Sequence, residues 1–262
     1  MSAFPSIPAA FDRPRTGGID VLFVAGEHSG DQHAAKAIQD LLKHRPDLRV
    51  AAFGGPRMQA AGAQLLFDMT GFSAVGIVEV LSAYPFYRRL FARMTAWSLQ
   101  WKPKLVVIVD YPGLNLRLAN ELRLAGLSRA GGGETAVIQY VSPQLWAWKP
   151  KRRFTMARDL DAVGTIFPFE PAVYADTKLD ARFVGHPFAE ADHVPALSYD
   201  REGPVLLLPG SRPKPVRKIF PALIEAFARF RRDHPKRRAL VLHTGGEDRK
   251  STRLNSSHIT RS

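Results

Sequence analysis

The sequence predicts an α/β protein built on a parallel sheet with helices on both faces. Three observations predict it. Short unbroken apolar runs recur along the chain, the pattern of strands buried on both sides. Stretches with helical periodicity separate these runs, in βαβα order. Glycines, carboxylates and basic residues fall just after the runs, at the strand ends where parallel sheets hold ligands.

The elements follow in order. Asp20-Val21-Leu22-Phe23-Val24 reads as the first strand. After it comes the glycine-bearing loop Ala25-Gly26-Glu27-His28-Ser29-Gly30-Asp31. Ile38, Leu41 and Leu42 then recur at helical spacing, with Ser29 and Gln32 placed as a capping box. Leu48 to Phe53 is a second strand, ended by Gly54-Gly55-Pro56. From Gly76 to Trp101 the pattern is helical, with a break expected at Pro85. Leu105 to Val109 is a buried strand that ends in Asp110, and Leu116 to Leu127 a helix. Ala136 to Val141 is a strand and Trp146 to Leu160 a helix, while Ala162 to Phe167 and Arg182 to Val184 close the series.

These elements form an N-terminal domain over residues 19–188, preceded by a flexible N-terminus, 1–18, and followed by a Pro-containing linker, 189–203. A second α/β domain opens at 204. It has the strand Val205 to Leu208, the turn Pro209-Gly210-Ser211-Arg212, a helix from Val216 to about Asp233 and a strand from Ala239 to His243. Residues 204–247 are too few to close a core. Residues 248–262 have no apolar periodicity and resemble the conceptual translation of a sequencing-adapter oligonucleotide, so they are expected to be a non-native tail after a truncated second domain.

Composition excludes several classes. The chain has 262 residues and no cysteine, which removes disulfides and Cys-ligated metals. No run reaches the eighteen or so apolar residues of a membrane span, and Met1 to Gly18 lacks the pattern of a signal peptide. A formal charge of +13 points to an anionic partner: nucleic acid, phosphorylated substrate or an anionic membrane face. Without 248–262 the chain remains strongly basic.

The residues able to carry chemistry cluster after strands. In the first loop Gly26 and Gly30 permit close backbone approach, Ser29 and Asp31 sit where a helix begins, and Glu27 and His28 add an acid and a base. Asp110 emerges at a strand's carboxyl end before Tyr111-Pro112-Gly113-Leu114-Asn115; it can serve as a general base or cap a helix. Ser142-Pro143-Gln144-Leu145-Trp146-Ala147-Trp148 ends the next strand, followed by Lys149, Lys151, Arg152 and Arg153, a mixture suited to a sugar, a phosphate or a membrane interface. Gly210, Ser211 and Arg212 suit an anion. The aromatic-rich stretch from Tyr84 to Trp101, interleaved with Arg88, Arg89 and Arg93, fits core packing or an interfacial helix. No Walker-type loop and no spaced metal-ligand cluster occurs, and His186 and His243 read as structural.

Taken in order, AGEHSGD (25–31), FGGPRMQAAG (53–62), VGIVEVL (75–81), VDYPGLNLRLA (109–119), YVSPQLWAWKPKR (140–152), PFEP (168–171), FVGHP (183–187) and LLPGSR (207–212) resemble the lipid-A-disaccharide synthases. These are inverting glycosyltransferases of GT-B type. The resemblance implies two Rossmann-like domains that transfer 2,3-diacylglucosamine from UDP to 2,3-diacylglucosamine 1-phosphate (lipid X). The enzymes work on the cytoplasmic, anionic face of the inner membrane. It makes Asp110 and Glu27 the catalytic candidates, and Gly210, Ser211 and Arg212 the donor-phosphate site. Gly26, Ser29, Gly30, Asp31, Asn115, Ser142, Trp146 and Glu170 become substrate-binding candidates. No metal, cofactor or nucleic acid is implied. The chain departs from the pattern at Gly113, where a second Asp is frequent, at Pro215, where a Glu is frequent, and at His28. Since the family's uridine contacts lie mostly in the remainder of the second domain, this chain alone is expected to be inactive. Another UDP-sugar enzyme of the same type, such as a 2-epimerase, and a nucleic-acid-binding module are the competing readings.

Overall fold

The computed structural model describes residues 5–70, 77–187, 189, 205–208, 213–235, 237 and 240–243. The expected linker beyond 189, the Pro209-Gly210-Ser211-Arg212 turn and the 248–262 tail lie outside these described residues. The chain divides into two compact units, Met1–Ala191 and Asp192–Ser262.

The first unit holds β1 (Val21–Ala25), α1 (His28–His44), β2 (Val50–Gly54), α2 (Pro56–Ala60), β3 (Gln64–Asp68) and α3 (Ile77–Trp101). It continues with β4 (Leu105–Val109), α4 (Pro112–Leu124), β5 (Ala136–Tyr140), α5 (Arg152–Asp159), β6 (Ala162–Thr165) and β7 (Asp180–Phe183). The seven strands lie side by side in the order β3-β2-β1-β4-β5-β6-β7, every pair parallel. The chain thus builds outward from β1 in one direction and then returns to β1's other side with β4. That reversal leaves a crevice at the carboxyl ends of β1 and β4.

The unbroken apolar runs are explained by burial on both faces. Alternate residues of β1 enter different clusters: Leu22 and Val24 pack with Leu90, Met94, Trp97, Leu118 and Leu122 of α3 and α4. Val21, Phe23 and Ala25 pack with Ala34, Ala35 and Ile38 of α1 and Met58 of α2. At the opposite end of the sheet, the buried Asp20 binds Arg49 at 2.8 Å and Lys104 at 2.9 Å. These residues precede β1, β2 and β4, so one carboxylate ties together the amino ends of three adjacent strands.

Several expectations need correction. Residues within the expected flexible N-terminus are docked: Phe11 is buried against Phe53 (ring centroids 4.8 Å apart) and Trp97 Nε1 donates to the Asp12 carbonyl. Gln64 adds bonds to the Arg13 carbonyl and from the Arg15 amide. The helix break expected at Pro85 is absent, since α3 runs through it. One missing N–H is tolerated where Leu90, Met94 and Trp97 anchor the following turns in the core. The helix expected from Trp146 covers only Arg152–Asp159, because Lys149 takes a left-handed φ of 56°. The Ser29–Gln32 capping box does not form; Glu27 is the N-cap of α1, without a side-chain cap bond.

The second unit contains β8 (Val205–Leu208), α6 (Pro213–Asp233) and β9 (Leu240–His243), with β8 and β9 parallel. Val205, Leu207, Ile219, Ile224 and Val241 are exposed. Among the described residues no helix is long and apolar enough to cross a membrane.

The Asp20 cluster has a pH signature. Its hydrogen bond from Arg49, reinforced by Lys104, outweighs burial and holds the carboxyl well below the usual range. A depressed folded value stabilises the protein above the unfolded pKa of about 3.9 and is lost as pH falls through the folded one. Urea denaturation is therefore expected to find Asp20→Asn less stable than the parent at neutral pH. The gap should narrow steadily below about pH 4.

Candidate functional site

The crevice is built from two loops that the strand order forces together. Ala25 of β1 pairs with Val109 of β4, so Gly26 to Ser29 and Asp110 begin side by side. The Ser29 hydroxyl reaches Asp110 Oδ2 at 3.5 Å, a long contact compared with the 2.5–3.0 Å of a tight O–H···O bond. Ser29 is exposed and Asp110 half-buried, so both stand at the crevice's surface.

The backbone here is unusual. Asp110 and Tyr111 are consecutive non-glycine residues with left-handed φ values of 50° and 39°, and Val141, next to Tyr140 at the end of β5, has φ 67°. Each such residue costs about 1–3 kcal/mol unless its surroundings enforce it. Two buried amides do so. Asn115 Nδ2 donates to the carbonyls of Val109 (2.8 Å) and Asp110 (2.6 Å). Gln139 Nε2 donates to the carbonyls of Asp110 (3.1 Å) and Val141 (3.2 Å). The Asp110 amide donates to the Tyr140 carbonyl at 3.0 Å. The main chain of Asp110 is therefore held from both neighbouring elements while its carboxylate faces the crevice mouth shared with Ser29.

The glycines serve this packing. A Cβ on Gly26 would lie 2.8 Å from Tyr111 Cδ1. On Gly30 it would lie 3.2 Å from Ala25 Cβ and 3.4 Å from the Val109 carbonyl, so Gly30 lets α1 approach the sheet closely. Glu27 is half-buried and, after burial itself, contributes to raising the Tyr111 pKa.

Four residues expected to touch substrate are occupied inside the protein. Asp31, 1 % exposed, accepts the amides of Gly55 (3.0 Å), Arg57 (3.1 Å) and Met58 (3.1 Å), and so holds the amino end of α2. Asn115, fully buried, is the pin just described. Ser142 is buried, with its hydroxyl 2.8 Å from that of Tyr174, whose pKa burial pushes up to about 12. Glu170 is buried and accepts the amides of Ile166 (3.0 Å) and Phe167 (3.1 Å), and the Trp146 indole N–H (3.3 Å). Those two amides turn away from the sheet, which is why β6 stops at Thr165 rather than Phe167.

Trp146 itself is half-exposed and meets Phe169 edge-on at 5.5 Å, while Phe169 stacks on Phe167 at 5.6 Å. An aromatic rim therefore lines the carboxyl ends of β5 and β6. Gly210, Ser211 and Arg212 lie outside the described residues.

Two residues were not foreseen. His33 stands one helical turn after Ser29 on α1, a spacing that brings it to the same face. Burial lowers its pKa; the field of Asp110 opposes this and that of His186 adds to it, so His33, Asp110 and His186 share one electrostatic neighbourhood. Gln139 was legible only as a polar residue inside an apolar strand. Among the described residues no group of His, Asp and Glu is arranged to hold a metal ion. Chemically, the site offers a carboxylate on a firmly held main chain, able to take a proton from a hydroxyl, with a serine hydroxyl nearby and an imidazole whose pKa burial lowers.

Comparison with known proteins adds identity to this geometry. A family model described as lipid-A-disaccharide synthetase matches residues 21–257. The lipid-A-disaccharide synthase of Anaeromyxobacter dehalogenans (strain 2CP-C) is 35 % identical over 229 residues, covering 84 % of this chain and 58 % of that protein. That of Myxococcus xanthus (strain DK1622) is 36 % identical over 251 residues, covering 92 % of this chain and 63 % of that one. The chain thus spans about three fifths of the length of these relatives. Among solved structures, the glycotransferase of kitacinnamycin superposes with a TM-score of 0.57 at 13 % identity, over 91 % of this chain and 68 % of that one, a likeness of fold alone.

The structural assignment of Asp31 is open to measurement. Removing its carboxylate leaves three amides at the amino end of α2 without their acceptor. Asp31→Ala is expected to lower stability by roughly 2–3 kcal/mol in urea denaturation. Ser29→Ala, at the exposed crevice mouth, should change it by less than about 0.5 kcal/mol.

Proposed function

Because the chain belongs to the lipid-A-disaccharide synthetase family, we propose that it forms the acceptor side of a glycosyltransferase of lipid A synthesis. The reaction joins UDP-2,3-diacylglucosamine to 2,3-diacylglucosamine 1-phosphate, giving the β-1,6-linked disaccharide 1-phosphate and UDP. The observation that carries this reading is Asp110, held in a strained conformation at the switch point beside Ser29.

In this mechanism the acceptor's 6-hydroxyl donates a hydrogen bond to the Asp110 carboxylate. As the oxygen attacks the anomeric carbon, its proton passes to that carboxylate. The new C–O bond forms on the face opposite the departing diphosphate, so the configuration inverts and UDP leaves with the bonding pair. Ser29 orients the hydroxyl, and Glu27 positions the sugar from the same loop. Gly210, Ser211 and Arg212 neutralise the leaving diphosphate through amides and a guanidinium, which leaves no step that needs a metal. Asp31, Asn115, Ser142 and Glu170 act by holding these loops and the Trp146 rim. The excess of positive charge favours work at the inner, anionic face of the bacterial inner membrane, as a peripheral protein.

The test joins this chain to the C-terminal region its relatives carry and assays disaccharide 1-phosphate formation from the two substrates. Asp110→Asn should lower kcat by about 10²–10⁴-fold with the fold intact, whereas EDTA should leave the rate unchanged. Near-parental turnover by Asp110→Asn would remove the residue from the role of base, and absence of product from the parent would overturn the reading.

A further inference from the structure

A groove of about 1320 Å³ opens between α3, α4 and α5, wholly inside the first unit. It is not the crevice itself, but the two adjoin: Pro112 and Gly113, directly after Asp110 and Tyr111, line its near end.

Its chemistry is two-sided. Tyr87, Phe91 and Leu116 supply an apolar wall, with Phe91 and Leu116 nearly buried in the core behind it. Cations arrive from three separate elements: Arg88 on α3, Arg117 on α4, and Lys149, Lys151 and Arg152 from the turn into α5. The lining has two carboxylates. Asp159 is buried and already engaged by Arg123 and Arg158, at 2.8 and 2.7 Å. That leaves Glu121 as its remaining carboxylate. Among the described residues Arg88, Arg117, Lys151 and Arg152 have no ion-pair partner. Cations gathered around one concavity repel one another. A phosphate monoester relieves that repulsion and suits guanidinium forks, which bind it bidentately. Neither nucleic acid nor free phosphate explains the apolar wall, whereas an amphiphile uses both sides.

We infer that this groove binds a phosphomonoester amphiphile, its phosphate among Arg88, Arg117 and Arg152 and its hydrocarbon along Tyr87, Phe91 and Leu116. On the function proposed above, it seats the phosphate end of the acceptor while the 6-hydroxyl reaches Asp110; to that extent the inference rests on that reading. The binding itself requires neither donor nor turnover.

The probe is dihexanoyl phosphatidic acid, titrated calorimetrically below its micelle concentration into the 262-residue chain. Inorganic phosphate and dihexanoyl phosphatidylcholine are titrated in parallel. The phosphatidic acid is expected to bind at least ten-fold more tightly than either. Arg117→Gln with Arg152→Gln should weaken it at least ten-fold, and Arg88→Gln alone several-fold. Arg217→Gln with Lys218→Gln, exposed on α6, removes the same charge elsewhere and should change it less than two-fold. Equal loss in that control would reduce the effect to diffuse charge and overturn the inference. Inorganic phosphate binding as tightly would make the groove a plain anion site, and unchanged affinity in both groove variants would abolish it. None of these outcomes bears on whether the extended protein forms disaccharide, so the two readings fail separately.

Discussion

Everything around the crevice depends on the left-handed pair Asp110–Tyr111 at the end of β4. Two such residues in succession are unfavourable for side chains with a Cβ, and they persist because Asn115 holds the carbonyls of Val109 and Asp110 while Gln139 ties the Asp110 carbonyl to that of Val141. Once the turn is enforced, Tyr111 lies over position 26 and leaves room there for nothing larger than glycine. Pro112 then supplies the first turn of α4, where its missing N–H is harmless. The glycine loop, the start of α4 and the direction of the Asp110 carboxylate are therefore consequences of one local constraint.

Burial sorts the polar residues of the site into two kinds. Asp31, Asn115, Ser142 and Glu170 are enclosed, and each is hydrogen-bonded to backbone, hydroxyl or indole groups of the protein itself. Glu27, Ser29, Asp110 and Trp146 keep surface toward the crevice and its rim. The first group makes the second rigid. Glu170, for example, holds both the turn after β6 and the indole of Trp146, so a buried carboxylate sets the position of an exposed aromatic ring. Part of the positive charge gathers along the groove beside α4, where Arg88, Arg117, Lys149, Lys151 and Arg152 line one concavity.

Strands buried on both faces were legible because their apolar runs need no partner to be recognised. The loops that end β1 and β4 were legible for the same reason, since polar residues after such runs stand out. β3 escaped notice: Gln64–Asp68 is short, half-covered and polar at both ends, and pairs with β2 through an irregular register. The docked N-terminal segment was also hidden. Nothing local to Phe11 or Asp12 signals Phe53 or the Trp97 indole, which arrive from the middle of the chain.

The amino-acid sequence by itself determined the parallel α/β architecture, the approximate strands and the residues clustered at their carboxyl ends. Those features are written in local periodicity, burial and composition. Only the tertiary structure decided which of those residues face outward. Asp31 and Ser29 lie two positions apart in one loop, yet one caps a distant helix inside the core and the other meets Asp110. That division depends on the strand order, which sets β1 against β4 and β2 and so brings together residues separated by about eighty positions in the chain. Spacing along the sequence cannot reveal it, because the partners that bury one carboxylate and expose another are contributed by elements far away.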